Sequence, residues 1–587
     1  MRILFLAHAF NSLTQRLYVE LTEAGHDVSI EFDVNDRVTS EAVALFRPDL
    51  VVAPFLKRRI PEAVWRAQRC IVIHPGIEGD RGPSALDWAV MNGETAWGVT
   101  ALEANADMDA GDIWANVDFP LRDAAKGSLY RNEVTEAAVA AIRSTLERIA
   151  VGGRPRTLDG ARPGVRGRLR PPMRQPDRAI DWRADDTDTV LRKIRAADGV
   201  PGVLDTVGGE PCYLFDAHRE GRPCAGAPGA VIAQRDGAIL RVTVDGAVWI
   251  THLKRAGEGA PAFKLPAARV LGNRLAGVPD APLAPEAVVG YPTWRPVRYE
   301  EHGEVGYLHF PFYNGAMGTA HCELLLSAYA YARSRPTRVI VLMGGPDFWS
   351  NGIHLNLIEA DPHPAEESWR NINAMDDLVR DVIVTDRQLT IAALQGNAGA
   401  GGVFLALAAD QVFARDGVIL NPHYTGMGNL YGSEYWTYLL PRRVTPEQAR
   451  AISASRLPVG VRGAAAMGLI DGHFGATPAA FREEVARRAQ GLARDPGFAG
   501  KVAERNRRRQ ADEAAMPLAS YRAAELERMK LNFFGFDSSY HVARFNFVHK
   551  VPRSRTPLYL ARHRTGPRAA PPGAGHASAP PAGLPGR

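Results

Sequence analysis

From Leu389 to Ala409 the chain reads LTIAALQGNAGAGGVFLALAA, twenty-one residues without a charge and long enough to cross a bilayer as a helix. Four glycines interrupt it, together with the polar Gln395 and Asn397. A strand, a glycine turn and a buried helix account for that pattern better than a continuous membrane span. The segment therefore belongs to the interior of an α/β unit. The N-terminal run MRILFLAHAF is too short for a span, lacks a small-residue cleavage site and passes into an amphipathic stretch. It reads as a first strand entering a helix, not as a signal peptide.

The same alternation marks the rest of the chain. Over the first ~115 residues RILFLA, HDVSIEF, DLVVAPF, CIVIHPG and WGVTALEA alternate with helical patterns, which predicts a parallel sheet flanked by helices. A Pro/Gly/Arg segment at 152–180 is a solvated linker by composition. From Asp181 one helix and several short strands with Gly/Pro/Asp turns predict a small OB-like β-barrel module to residue 275. A Pro-rich break opens a second α/β unit, 285–545, with a Glu/Arg/Ala-rich helical end. The expected fold class is thus α/β multidomain, with a first domain at 1–151 and a disordered tail at 565–587.

The formal charge of +5 is unevenly placed. From Ser538 onward there is no Asp or Glu but eight Lys or Arg, and without those eight the 70 basic residues fall below the 65 acidic ones. The enzyme body is therefore no nucleic-acid binder. Four unpaired-spacing cysteines exclude a disulfide framework and a zinc ribbon, and suit a reducing cytoplasm. No metal-ligand cluster is legible, so no metal is expected.

Two constellations carry chemistry. His74 follows the strand CIVI, and the loop, helix and strand after it lead to MDAGD, returning Asp109 toward the same edge. A carboxylate beside an imidazole fixes its tautomer, so the pair can stabilise a developing oxyanion or move a proton. The second is GNAGAGG, Gly396–Gly402, between an apolar strand and a helix, with PDFWSNGIHLNLIEA one α/β unit upstream. Glycine amides at a helix start are a potential oxyanion hole. Tyr424 and Glu434, in NPHYTGMGNLYGSEYW, are ionisable groups beside it; a packed tyrosine and a solvated carboxylate are the plainer readings.

Residues 1–275 resemble the N10-formyltetrahydrofolate-dependent formyltransferases, with their histidine-ended strand, W-A-x-x-N-G segment, G-V-T, closing M-D-x-G-D and IDW. The resemblance implies that His74 and Asp109 are catalytic and that the formyl donor is N10-formyltetrahydrofolate. The family's asparagine is replaced by Val72, which implies an altered acceptor. Residues 290–545 resemble the crotonase (enoyl-CoA hydratase/isomerase) superfamily, which implies a coenzyme A thioester held by the N–H groups of Ile353 and Gly401. The hydratase glutamates map to Phe404 and near His423, so water addition is not expected. Gly396 and Gly402 of the same loop, with Gln15 and Arg131, are the candidate ligand contacts; solvation is the alternative for Gln15 and Arg131.

The fusion of the two, with RPPMRQPDRAIDW, HPGIEGDRGPSALDW and NPHYTGMGNLYGSEYW, is similar to the HypX (HoxX) family of hydrogenase maturation factors. That resemblance implies formyl transfer to coenzyme A, then decarbonylation of formyl-CoA to carbon monoxide. Tyr424 and Glu434 would be its acid and base in either order. It also implies small-molecule substrates, hydrogenase iron-site maturation proteins as partners, and no nucleic-acid or membrane partner. An amine formyltransferase with a non-catalytic crotonase unit, or a CoA-binding scaffold, are the competing readings.

Overall fold

The computed structural model describes residues 1–257, 259 and 263–565. Its first sheet has strands β1 Arg2–Ala7, β2 Asp27–Phe32, β3 Leu50–Phe55, β4 Cys70–His74, β5 Ala96–Glu103 and β6 Ile113–Pro120, in the order β2-β1-β3-β4-β5-β6. Alternate residues feed opposite cores, as a buried strand requires. Ile3, Phe5, Val52, Ile71 and Ile73 enter one, whereas Leu4, Leu6, Val51 and Cys70 enter the other. The sheet departs from the all-parallel expectation at its end. β5 runs antiparallel to both of its neighbours, β4 and β6.

The Arg-rich segment also differs from a solvated tether. Leu169 bridges Arg81, Arg170 N–H donates to the Arg81 carbonyl, and Arg156 pairs with Glu78. Glu78 is a half-buried carboxylate in the loop after β4, so the segment's charge is spent on the first unit. The next module has β7 Val203–Val207, β8 Glu210–Glu220, β9 Val231–Arg235, β10 Ala238–Val242, β11 Ala247–Arg255 and β12 Leu265–Pro266. They form one antiparallel sheet, β7-β8-β11-β10-β9, with β12 on β11.

The last unit contains β13 Arg298–His302, β14 Val305–His309, β15 Val339–Gly344, β16 Phe348–Ser350, β17 Leu389–Leu394, β18 Asn397–Gly399, β19 Gln411–Arg415, β20 Ile419–Asn421, β21 Val459–Gly460 and β22 Gly472–Phe474. Its main sheet is β13-β14-β15-β17-β19-β22, and β16-β18-β20-β21 form a small second sheet. The uncharged run resolves into β17, the glycine turn with β18, and the buried helix Gly401–Leu407. Helices from Pro478 to Val548 complete the unit.

The chain then returns to the first sheet. Leu560 accepts from Ile30 N–H, and Glu31, fully buried on edge strand β2, is held by Thr556, His563 at 2.9 Å and Arg564 at 2.7 Å. Part of the basic C-terminal stretch thus caps an otherwise open sheet edge. The expected tail beyond Thr565 lies outside the described residues.

Candidate functional sites

His74 ends β4, and its ring is buried between two carboxylates. Nε2 lies 3.1 Å from Asp80 Oδ2, and Nδ1 lies 3.5 Å from Asp109 Oδ2. The β5–β6 hairpin loop supplies Asp109, which sits in the left-handed region (φ 57°) and accepts from Gly82 N–H at 3.2 Å. Asp80 in turn accepts from Arg170 Nε at 2.9 Å, so a guanidinium balances the fully buried carboxylate. Closing the loop over the ring needs glycine at 76, where a β-carbon would stand 2.4 Å from Nε2. An imidazole held this way can stabilise developing charge or carry a proton without reorienting. Val72 shares the strand face two residues earlier and packs against the apolar cluster of Leu4, Leu6 and Val51.

The sequence paired His74 with Asp109 alone; Asp80 and Arg170 went unseen. Asp80 had a signal, an acidic residue in the glycine-rich loop directly after the histidine. Arg170 had none, being one arginine among many in a segment that composition marks as exposed.

In the last unit Tyr424 and Glu434 are in direct contact. The Tyr424 hydroxyl donates to Glu434 Oε2 at 2.6 Å, and its ring stacks on Phe404 with centroids 5.5 Å apart. Phe404 makes an apolar wall for the tyrosine. Ser433 N–H also donates to Oε2, at 3.1 Å, while Oε1 has no hydrogen-bond partner among the described residues. That free oxygen abuts the glycine turn: a β-carbon on Gly401 would come within 2.0 Å of it. The two loops expected to supply amide donors also touch, since a β-carbon on Gly352 would lie 3.4 Å from Gly401 N. Neither Ile353 N–H nor Gly401 N–H has a protein acceptor among the described residues. Two free amides beside a free carboxyl oxygen suit a carbonyl group and a transferable proton.

Burial pushes the Glu434 carboxyl up to about 8, with the Asp376 charge adding to it, and raises the Tyr424 hydroxyl well above its ordinary range. Asp376 and Glu525 were not anticipated. They come from the helices Pro364–Ile383 and Leu518–Phe534, and burial raises each to about 7. Both are far from Glu434 in sequence and sit in charged helical runs that read as solvated faces.

Gln15 and Arg131 lie at the seam between the first and last units. Gln15 Oε1 accepts from Asn421 Nδ2 at 3.0 Å. Arg131, in a π-helical turn, donates to Asn314 at 3.0 Å, stands 3.5 Å from Asp347 and covers the Phe348 ring. Gly396 and Gly402 have packing reasons: their β-carbons would meet the Asp347 and Ser350 backbones at 2.4 Å and 2.2 Å. Among the described residues no group of three or more His, Cys, Asp or Glu could hold a metal ion, and no helix is long and apolar enough to cross a membrane.

Family models match in three places: formyl transferase at 31–146, formyl transferase C-terminal domain at 172–262, and enoyl-CoA hydratase/isomerase at 308–538. The hydrogenase maturation factor HoxX of Bradyrhizobium diazoefficiens is 56% identical over 565 residues, covering 96% of this chain and 97% of that protein. The chain belongs to the HypX/HoxX family of hydrogenase maturation factors. The structure of HypX from Aquifex aeolicus in complex with tetrahydrofolic acid is 50% identical and superimposes with a TM-score of 0.93, covering 96% of this chain and 99% of that one. A methionyl-tRNA formyltransferase of Halalkalibacterium halodurans is 26% identical over 38% of this chain and 71% of its own length. As HypX/HoxX family membership entails, a formyltransferase unit and an enoyl-CoA hydratase-like unit share one chain. His74, Asp80 and Asp109 fall in the first matched segment; Ile353, Gly401, Tyr424 and Glu434 fall in the last.

Proposed function

We propose that this chain is a cytoplasmic two-step enzyme that makes carbon monoxide for the iron site of [NiFe]-hydrogenase. In the first step the formyl group of N10-formyltetrahydrofolate passes to the thiol of coenzyme A. His74, held between Asp80 and Asp109, stabilises the oxyanion that forms as sulfur attacks the formyl carbon. Val72 offers no amide to orient an amine acceptor, and an apolar wall suits a sulfur nucleophile. The tetrahydrofolic acid held by the Aquifex aeolicus relative supports a folate donor.

In the second step formyl-CoA breaks into carbon monoxide and free coenzyme A. The formyl C–H and C–S bonds break, an S–H bond forms, and the net change is one proton moved from carbon to sulfur. The Ile353 and Gly401 amides polarise the thioester oxygen, while Glu434 Oε1 takes the proton and returns it to sulfur. Tyr424 holds the other oxygen, Oε2, and so keeps the carboxyl aimed at Gly401. The observation that carries this reading is the free Oε1 of a buried, weakly acidic glutamate against an amide pair with no protein acceptor. Gln15 and Arg131 are proposed to contact coenzyme A where the two units meet. Gly396 and Gly402 shape the turn that the thioester approaches.

The test is one incubation of the whole chain with N10-formyltetrahydrofolate and coenzyme A, with carbon monoxide trapped on a haem protein. Trapped carbon monoxide that requires both compounds is the expected result. Formylation of an amine in its place, or binding of coenzyme A with no turnover, would favour the competing readings.

A further inference from the structure

Glu434 and Tyr435 are consecutive non-glycine residues in the left-handed region, with φ of 61° and 57°. Such a pair is strained, and something must hold it. Two buried carboxyl groups end the amides of this turn. Asp376 Oδ1 accepts from Glu434 N–H at 2.7 Å; Glu525 Oε2 accepts from Tyr435 N–H at 2.9 Å and its Oε1 from Thr437 N–H at 2.8 Å. The Ser433 hydroxyl lies between them, 2.8 Å from Asp376 and 3.4 Å from Glu525. Its carbonyl accepts from the Tyr424 hydroxyl at 3.0 Å. Three acids therefore converge from three elements, and the nearest cation is Arg522, whose Nε is 3.6 Å from Asp376. The other ionisable neighbours are Tyr424 and Tyr435, Tyr431 near Glu525, Asp377 on the Asp376 helix, and the buried Cys322 thiol, which feels the Glu434 charge.

We propose that Asp376 and Glu525 are positioning residues for the decarbonylation site: they hold the strained turn that aims Glu434 Oε1 at Gly401. The inference rests on the proposed role of Glu434. Glu525 has no cation partner among the described residues and Asp376 has only Arg522, at 3.6 Å; both spend their oxygens on the turn instead. Burial raises all three acids, and the Asp376 charge adds to the rise at Glu434 and Glu525.

The variants are Asp376→Asn and Glu525→Gln, which keep shape and remove charge. Carbon monoxide release from supplied formyl-CoA should fall about tenfold or more in each, with KM near the parental value. Removing the Asp376 charge should also let Glu434 ionise at lower pH, by about one unit. Infrared difference spectra of the full chain read this directly, through the band of a protonated buried carboxyl that disappears in Glu434→Gln. In Asp376→Asn that band should titrate at lower pH than in the parent. Should Asp376→Asn fail to fold, Ser433→Ala removes the shared hydroxyl alone, and its expected signature is the same loss of rate at unchanged KM. A slower enzyme with an unmoved titration means an ordinary structural acid and overturns the proposal, as does a parental rate in the foldable variants. A parent that releases no carbon monoxide while the band still shifts would instead refute the reaction and leave the positioning intact.

Discussion

The two candidate sites treat buried charge in opposite ways. Around His74, positive groups meet negative ones in line: Arg170 balances Asp80, the imidazole lies between Asp80 and Asp109, and the next arginines, 156 and 162, share Glu78. Around Glu434 three carboxyls crowd together with one guanidinium at their edge. A compensated site can stabilise charge that develops on a substrate without changing its own proton count. An undercompensated one lifts its carboxyls toward neutral pH, where a proton can be both taken up and given back. The backbone follows the same division. Asp109 is the one left-handed non-glycine among the His74 carboxylates and ring, whereas Ala400, Glu434 and Tyr435 all have positive φ around Gly401. Formyl transfer and proton transfer ask for these two environments in turn.

The largest effects should come from breaking one site while reading the other. Glu434→Gln removes the proton carrier, and carbon monoxide should fall about 10²–10⁴-fold while tetrahydrofolate release continues. Formyl-CoA, or formate from its hydrolysis, should accumulate. Asp109→Asn should do the reverse: no folate-dependent transfer, yet parental carbon monoxide from supplied formyl-CoA. If either variant damages both steps equally, the sites are not separable and the comparison fails. Tyr424→Phe leaves Oε1 in place and loosens only Oε2, so its loss should be smaller than that of Glu434→Gln.

A change of acceptor gives the next test. Val72→Asn places an amide on the His74 face of β4, where the related formyltransferases carry one. Measurable formylation of a small amine, absent in the parent, is the expected gain. Its absence at an unaltered rate of transfer to coenzyme A would show that the valine does not set the acceptor.

These variants also show where the sequence was readable. His74 and Asp109 were legible because a strand end and a short hairpin fix their positions locally. Gly401 was legible because the charge-free run can only be a strand, a turn and a buried helix. Arg170 was hidden because composition reports a segment's average exposure, and this one arginine is buried against Trp97 while its neighbours are not. Asp376 and Glu525 were hidden because MDDLVRD and AAELERM place them among charges that do face water. Only tertiary packing distinguishes the one acid in each run that faces inward.

The charge imbalance has a smaller, pH-dependent consequence for stability. Glu434, Asp376 and Glu525 all have folded-state values raised above their unfolded ones, to about 8, 7 and 7. Each therefore favours the folded chain while protonated: the contribution is full below pH ~4 and is lost as pH rises through 7 to 8. Interaction among the three makes their effects non-additive. The thermal transition should fall between pH 5.5 and 8.5, and Glu434→Gln should shrink that fall. An equal fall in parent and variant would mean that the cluster is not charging in this range.

The smallest effect concerns strain in the glycine turn itself. Ala400 has φ 47° and ψ −128°, a combination that suits glycine. Strain of this kind costs about 1–3 kcal/mol, whereas glycine loses about 0.5–1 kcal/mol to the greater freedom of the unfolded chain. Ala400→Gly should therefore stabilise the protein by roughly 1 kcal/mol, which a melting curve would record as an upward shift of about 1–2 °C. The Ala400 methyl also stands 3.7 Å from a β-carbon built on Gly352, between the two amide-donor loops. Losing it should leave carbon monoxide release within a few fold of the parent while the transition rises. A lower transition temperature would mean that the alanine's packing outweighs the strain. The undercompensated site would then owe its shape to the carboxyl network rather than to a tense backbone.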